Sequence, residues 1–243
     1  MEQLIPKKLS MRNLSKYFLS IVIISLGGFL IAYENVYEYK IRFKIKNVIS
    51  LDGIKELSKK ENDAYHIIFN GKNSMLNAEL NQEAEFKYLN AKIFPQYYSQ
   101  KIKVPLRGEL NQKIKYDFKN QKIVSTGDVN WVIDFLGKPI PLDPLSSGFQ
   151  IRENVKKGLL SFDINLVKLD EGITYKSSYS VIGEEVLEIK DIKYPCIILE
   201  RTSKDRKTLY YVAKTLDFIL IKVSDDRKGR KLSIEAEKIL SFG

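Results

Sequence analysis

Cysteine occurs once in this chain of 243 residues, at Cys196, and histidine once, at His66. One cysteine excludes an internal disulfide, and IKYPCIILE around it reads as a strand with Cys196 as a small core residue. Zinc is usually held by several Cys and His side chains, so one of each all but rules out such a site. A Ser-His-Asp or Cys-His mechanism would have to use His66, and no G-x-S-x-G elbow accompanies it. His66 sits inside AYHIIF and reads as a half-exposed strand residue. Glycine-rich phosphate loops are absent. Asp225-Asp226 begins like a calcium loop, but Arg227 and Lys228 are wrong for a cation. No metal and no cofactor is implied. Low-complexity tracts and fixed-period repeats are also missing.

Long apolar runs are scarce, and the one present is informative. YFLSIVIISLGGFLIAY, residues 17–33, carries no charge and follows Lys7, Lys8, Arg12 and Lys16. That is the pattern of a secretory signal peptide or a short N-terminal membrane anchor. The run is short for a span, which needs about 20 residues. Yet no A-x-A cleavage pattern follows, so cleavage and anchoring both stay open. Positive charge ahead of the run keeps the N-terminus cytoplasmic. Residues 34–243 are then expected in the periplasm, soluble or tethered to the inner membrane through residues 17–33.

Net charge is +10, and residues 1–33, with four basic and one acidic side chain, supply +3 of it. The remaining charge is spread along the chain rather than striped. No helix-turn-helix, zinc finger or base-stacking motif is present, and nucleic acid is not an expected partner. An anionic lipid head group remains compatible with the charge.

After the apolar run the period is two. In YEYKIRFKIKN, Tyr37, Tyr39, Ile41, Phe43 and Ile45 alternate with charged residues, which puts them on one face of a strand. AYHIIFNG (64–71), ending at an Asn-Gly turn, NQKIKYDFKNQKIVST (111–126), YKSSYSVIGEEVLEI (175–189), YPCIILERT (194–202), TLYYVAK (208–214), DFILIKVS (217–224) and LSIEAEKIL (232–240) are further strands. MLNAELNQEAEFKYL (75–89) fits strand or helix and is assigned to strand by its neighbours. PLSSGFQIRENVKKG (144–158) is the exception. Ser146 or Ser147 can cap a helix there, and Gly158 can end it. The expected fold is mainly β: an antiparallel barrel, half-barrel or sandwich with one short helix. One domain covers 34–243.

Glu184 and Glu185 are adjacent on a strand and therefore point to opposite faces, so they cannot flank one substrate. Gly183 before them suits a bulge. One glutamate is expected to point inward and pair with Arg201 on the next strand.

Four stretches carry a resemblance. They are YEYKIRFKI, IFPQYYSQ (93–100), PIPLDPLSSGFQIRENVKKG with Asp143, Ser146, Arg152 and Gly158, and YSVIGEEVLEIKDIKYPCIILERTSKDRKTLYYVAKTLDFILIKV with Gly183, Glu185, Leu187, Arg201, Tyr211 and Ala213. Together they resemble domain-of-unknown-function family 3108, exported proteins of Gram-negative bacteria. The chain departs from that pattern with Tyr211 in place of tryptophan and Lys190-Asp191-Ile192-Lys193 in place of a Thr-x-x-Gly turn. The resemblance implies an exported β-rich domain, an aromatic-proline segment between two strands at 93–100, and no particular reaction.

A non-enzymatic envelope protein is the leading expectation. It would hold a lipid or polypeptide against an apolar concave sheet, or support an envelope complex. Fourteen tyrosines and twelve phenylalanines supply the material. The alternative is a hydrolase of cell-wall or carbohydrate material using Asp143, Glu185 or Asp128. The location is testable directly: a reporter active only in the cytoplasm, fused after Gly243, is expected to stay silent, and activity would place the domain inside.

Overall fold

The computed structural model describes residues 36–46, 50–89, 92–106, 108–203 and 206–243. The apolar segment 17–33, expected as a helix, lies outside the described residues. Eight strands come first: β1 Tyr39–Lys46, β2 Leu51–Lys59, β3 Ala64–Asn73, β4 Ala78–Leu89, β5 Lys92–Val104, β6 Gly108–Asp117, β7 Lys122–Gly127 and β8 Trp131–Asp134. Helix α1, Pro144–Lys156, follows. Six more strands complete the chain: β9 Ser161–Lys168, β10 Ile173–Ile189, β11 Ile192–Ser203, β12 Arg206–Ala213, β13 Ile219–Arg227 and β14 Arg230–Phe242.

The strands form one sheet in the order β8 to β1, then β14 to β9. It is two antiparallel meanders zipped together where β1 pairs with β14. Its two edges, β8 and β9, are joined in sequence by the segment that contains α1. The helix contacts β4, β5, β9 and β13. In a flat sheet β5 and β9 would be ten steps, or about 48 Å, apart, whereas a helix is only about 10–12 Å wide. The sheet must therefore curl around α1.

The seam between the edges is closed without a full strand ladder. Leu142 forms a parallel bridge to Leu166 of β9, with Leu142 N–H donating to Asn165 O (2.8 Å) and Val167 N–H to Leu142 O (3.0 Å). Trp131 Nε1 on β8 donates to Leu169 O at 2.9 Å, and Gln112 Nε2 on β6 donates to the same oxygen at 2.9 Å. The Trp131 side chain lies against Gly172, in the space any Cβ there would fill.

The alternation in β1 holds: Tyr39, Ile41, Phe43 and Ile45 are buried and the charges between them are not. The segment 75–89 is strand for most of its length, and the segment 111–126 is two strands, β6 and β7, joined by a turn at 118–121. Four strands escape the sequence pattern: β2, β5, β8 and β9. Two expectations are corrected. Asn70-Gly71 is not a turn, because β3 continues to Asn73. The Phe69 ring covers Gly53 and Gly71, where a Cβ would approach it to 2.6 and 3.0 Å, so both glycines are packing sites for an aromatic. IFPQYYSQ does not lie between strands but within β5. Pro95 is accommodated because Gln96 is an extra residue between the pairs Phe86–Pro95 and Glu85–Tyr97, a bulge that spares a ladder donor.

Helix α1 starts one turn signal earlier than expected. Asp143, not Ser146 or Ser147, is the N-cap, and its Oδ1 accepts from Leu145 N and Ser146 N, both at 2.9 Å. Pro144 takes the first helical position, where no N–H is needed. At the other end Gly158 N–H donates to Val155 O (2.8 Å) and Leu159 N–H to Asn154 O (3.1 Å), a Schellman closure with Gly158 at φ +76°.

A helix inside a sheet must bury most of its surface, and nine of the thirteen residues of α1 are buried. Phe149 packs on Phe86 (ring centroids 4.9 Å apart) and Tyr88 (5.4 Å). Arg152 and Glu153 are also buried, at 2% and 1% exposure. Arg152 Nε donates to Asp217 O at 2.8 Å, its Nη2 pairs with the Asp217 carboxylate, and the guanidinium lies 5.1 Å from the Phe149 ring centre. Lys156 joins Asp217 at 3.0 Å, and Tyr88 OH donates to Glu153 at 2.5 Å. Removing one partner of a buried pair strands the other. Arg152→Met is expected to cost about 3–5 kcal/mol in urea unfolding; a loss below about 1 kcal/mol would show the pair to be solvated.

Candidate functional site

Between α1 and strands β1–β4 and β9–β14 lies a partly open cavity of about 380 Å³. Its wall is chiefly aliphatic and aromatic: Phe43, Phe69 and Leu80 from one meander, Leu220, Leu232 and Ile234 from the other, Leu145 and Ile151 from the helix. The space exists because α1 is only thirteen residues long and places Gly148 on the cavity side. A Cβ on Gly148 would meet nothing nearer than Lys55 Nζ, at 3.8 Å.

Polar groups gather in one part of the wall. Arg201 on β11 extends Nη2 to Thr208 Oγ1 at 3.3 Å and lies 5.8 Å from the Tyr210 ring centre. Thr208 Oγ1 donates to Asp225 Oδ1 at 2.6 Å, and Arg206 Nε pairs with the same oxygen at 2.6 Å. Burial works to raise the Asp225 pKa, but the bonds from Arg206 and Thr208 outweigh it and hold the carboxyl below its ordinary range. Tyr210 is pushed well upward, first by burial and then by Tyr179, so its phenol stays protonated. Lys55 and Lys222 complete the cationic lining.

A second buried polar system runs across β4 to β7. Gln82 Nε2 donates to Tyr98 OH (2.9 Å), Tyr98 OH to Gln100 Oε1 (3.2 Å), Gln100 Nε2 to Gln112 Oε1 (2.8 Å) and Gln112 Nε2 to Ser125 Oγ (2.8 Å). These residues are neutral, and each satisfies the next. Burial pushes the phenols of Tyr98 and Tyr116 up, with Asp143 adding to the effect.

Of the candidate site residues Gly183, Glu185, Arg201, Tyr211, Asp143 and Arg152, Arg201 is the one that lines the cavity. Gly183 sits at a bulge in β10: Val181 opposes Leu199 and Gly183 opposes Ile198, with Ile182 unpaired. Glu184 and Glu185 are both exposed, so neither points inward as expected. Glu184 accepts from Lys214 Nζ at 2.5 Å. The expected Glu185–Arg201 pair is not formed. The two-residue turn Lys190–Asp191 sets the register so that Glu185 opposes Cys196, while Arg201 opposes Thr208. Tyr211 is buried with Lys222 Nζ 4.9 Å from its ring centre. Asp143 and Arg152 serve the helix, as described above.

The candidate acids are not brought together. Asp143 caps α1, Asp128 accepts from Asn111 N at 2.6 Å, and Glu185 lies on β10. Cys196 is fully buried and donates to Tyr194 O at 3.2 Å. Burial, with Glu185 adding to it, raises its thiol pKa to about 11, which suits packing rather than nucleophilic attack. His66 is part-buried and bonded to Glu83 at 2.7 Å. His66, Glu83 and Glu85 each present a donor atom within 4.8 Å of the others, and two strands hold them. Sequence reasoning missed Lys55, Arg206, Thr208 and Tyr210, and weighed Asp225 only as the start of a calcium-like loop. For Lys55 the signal was present, since it shares the inward period of Gly53 and Leu57.

Asp225 gives a pH signature. Its pKa is depressed on folding, so its contribution to stability is present above the unfolded value of about 3.9 and lost as pH falls through the folded value. Asp225→Asn is expected to lower the melting temperature at neutral pH and to remove part of the acid-side decline below about pH 4. A melting curve identical to that of the parent at both pH values would show that the carboxylate is not engaged.

No family model and no curated protein matches the chain. A solved structure does: the beta-barrel-like protein of domain of unknown function DUF1849 from Brucella abortus, with a TM-score of 0.54 at 8% identity. The match covers 84% of this chain and 98% of that one. At that identity the likeness speaks for the fold: this chain shares a barrel-like architecture with that domain of unknown function.

Proposed function

We propose that this protein is an exported, non-enzymatic envelope protein that carries a lipid inside its barrel. One observation carries this reading: the apolar cavity of about 380 Å³ between α1 and the curved sheet. Small-molecule pockets fall in the range of about 300–1,000 Å³, are lined mostly by apolar side chains, and hold few polar groups. Residues 17–33 would deliver the domain to the outer side of the inner membrane, where lipids are at hand. The resemblance to family 3108 supports export but names no ligand. A hydrolase reading gains nothing from the geometry, because Asp143 and Asp128 are committed to backbone donors.

The full-length chain, purified in neutral detergent, tests the reading by photolabelling with diazirine-bearing hexadecanol and peptide mapping. Labels are expected on lining segments of β1, β4, β13 and α1. Gly148→Phe should fill the space and remove those labels while leaving any on residues 17–33. Absence of label from every lining segment in the parent protein would overturn the proposal.

A further inference from the structure

The cavity is apolar, yet it holds more positive than negative charge. Four cations line it, Lys55, Arg201, Arg206 and Lys222, against one carboxylate, Asp225. Two of the four are accounted for by local partners. Arg206 pairs with Asp225 at 2.6 Å, and Lys222 lies 3.7 Å from Glu235 and over the Tyr211 ring. Lys55 and Arg201 differ. Neither is ion-paired among the described residues.

Lys55 stands on a central strand, not an edge. Its cross-strand neighbours are Ile41 on β1 and Phe69 on β3, both buried. Its Nζ reaches across the interior to the helix at Gly148. A lysine turned inward at such a position is not explained by edge protection, and its desolvation is unfavourable. Arg201 is half-buried, with a long bond to Thr208, the phenol of Tyr179 as a further hydrogen-bond partner, and the Tyr210 face beneath it. A guanidinium carries five donors in a planar fork suited to a carboxylate or phosphate. Arg201 also lies beside the Thr208–Asp225–Arg206 system, in which Arg206 already neutralises Asp225. An anion entering here would therefore meet uncompensated positive charge.

We infer that the cavity selects an acyl chain bearing an anionic head group, carboxylate or phosphate, with Arg201 and Lys55 as the cations that recognise it. This rests on the lipid-carrying reading of the same cavity. The apolar wall takes the chain, and the two cations distinguish an acid from a neutral lipid of the same length. The head group would replace solvent as the partner of the two charges, which is where a charge-assisted bond gains most.

The experiment compares diazirine-bearing palmitate with diazirine-bearing hexadecanol on the full-length chain in neutral detergent. It is run at a pH where the acid is ionised. In the parent protein palmitate is expected to label the lining peptides about tenfold more efficiently than the alcohol, the preference of about one charge-assisted contact. The double variant Lys55→Met/Arg201→Met should lose that preference and keep the alcohol labelling, which also shows that it has folded. If it does not fold, the preference in the parent decides alone. Inorganic phosphate in excess should leave palmitate labelling intact. Equal labelling by acid and alcohol in the parent, preference retained in the double variant, or full displacement by inorganic phosphate would each overturn the inference. Failure of the underlying reading looks different: then the alcohol labels no lining peptide at all.

Discussion

Enclosing most of a thirteen-residue helix, charged residues included, is the constraint on which the rest of this structure depends. A helix in contact with solvent can leave its end groups and charged residues to water. α1 cannot, because strands from both meanders cover it. Its two ends and its buried cations find partners within the barrel, although Asp143 Oδ2, Ser146 Oγ and Arg152 Nη1 have no hydrogen-bond partner among the described residues. Asp143 closes the first turn, Gly158 the last, and Asp217 takes Arg152 and Lys156 together. Asp217 stands after the 3₁₀ turn Lys214–Leu216 that links β12 to β13, in a left-handed conformation at φ 48°. An irregular link between strands thus presents the carboxylate that the helix needs.

The same helix joins the two edges of the sheet, so capping and closure are one problem. Leu142, just before Asp143, takes the place of a strand beside β9. Trp131 and Gln112 complete the seam by donating to a single carbonyl, that of Leu169. Edge strands invite pairing with other chains. Here β8 is four residues long, and part of β9 is paired by Leu142. The barrel is closed as much by side chains and one bridge as by its ladder.

A short plug leaves space. On the side of β4 to β7 the interior is filled by a chain of glutamines, a tyrosine and a serine that satisfy one another. On the other side the space remains and is lined by apolar residues with cations among them. Neutral polar groups can complete one another in a dry interior, whereas two inward cations without carboxylates cannot. That contrast separates the structural half of the interior from the half proposed to bind.

Strands with clean alternation were legible in the sequence, β1 most plainly, because period two is a local property. So was α1, whose spacing and closing Gly158 stand out from the strands around it. β2 was hidden because Gly53 and Lys55 occupy inward positions where apolar residues are expected. Yet those departures mark the packing site of Phe69 and the edge of the cavity. Glu185 and Arg201 do not meet as expected, since a two-residue turn and one bulge determine which residues face each other. Alternation decides which residues point inward. Register and curvature decide which inward residues face each other, and they depend on contacts between strands far apart in the chain. The local pattern therefore determined a β-rich domain with one helix, and only the closing of the sheet around that helix brought Lys55 and Arg201 to one cavity.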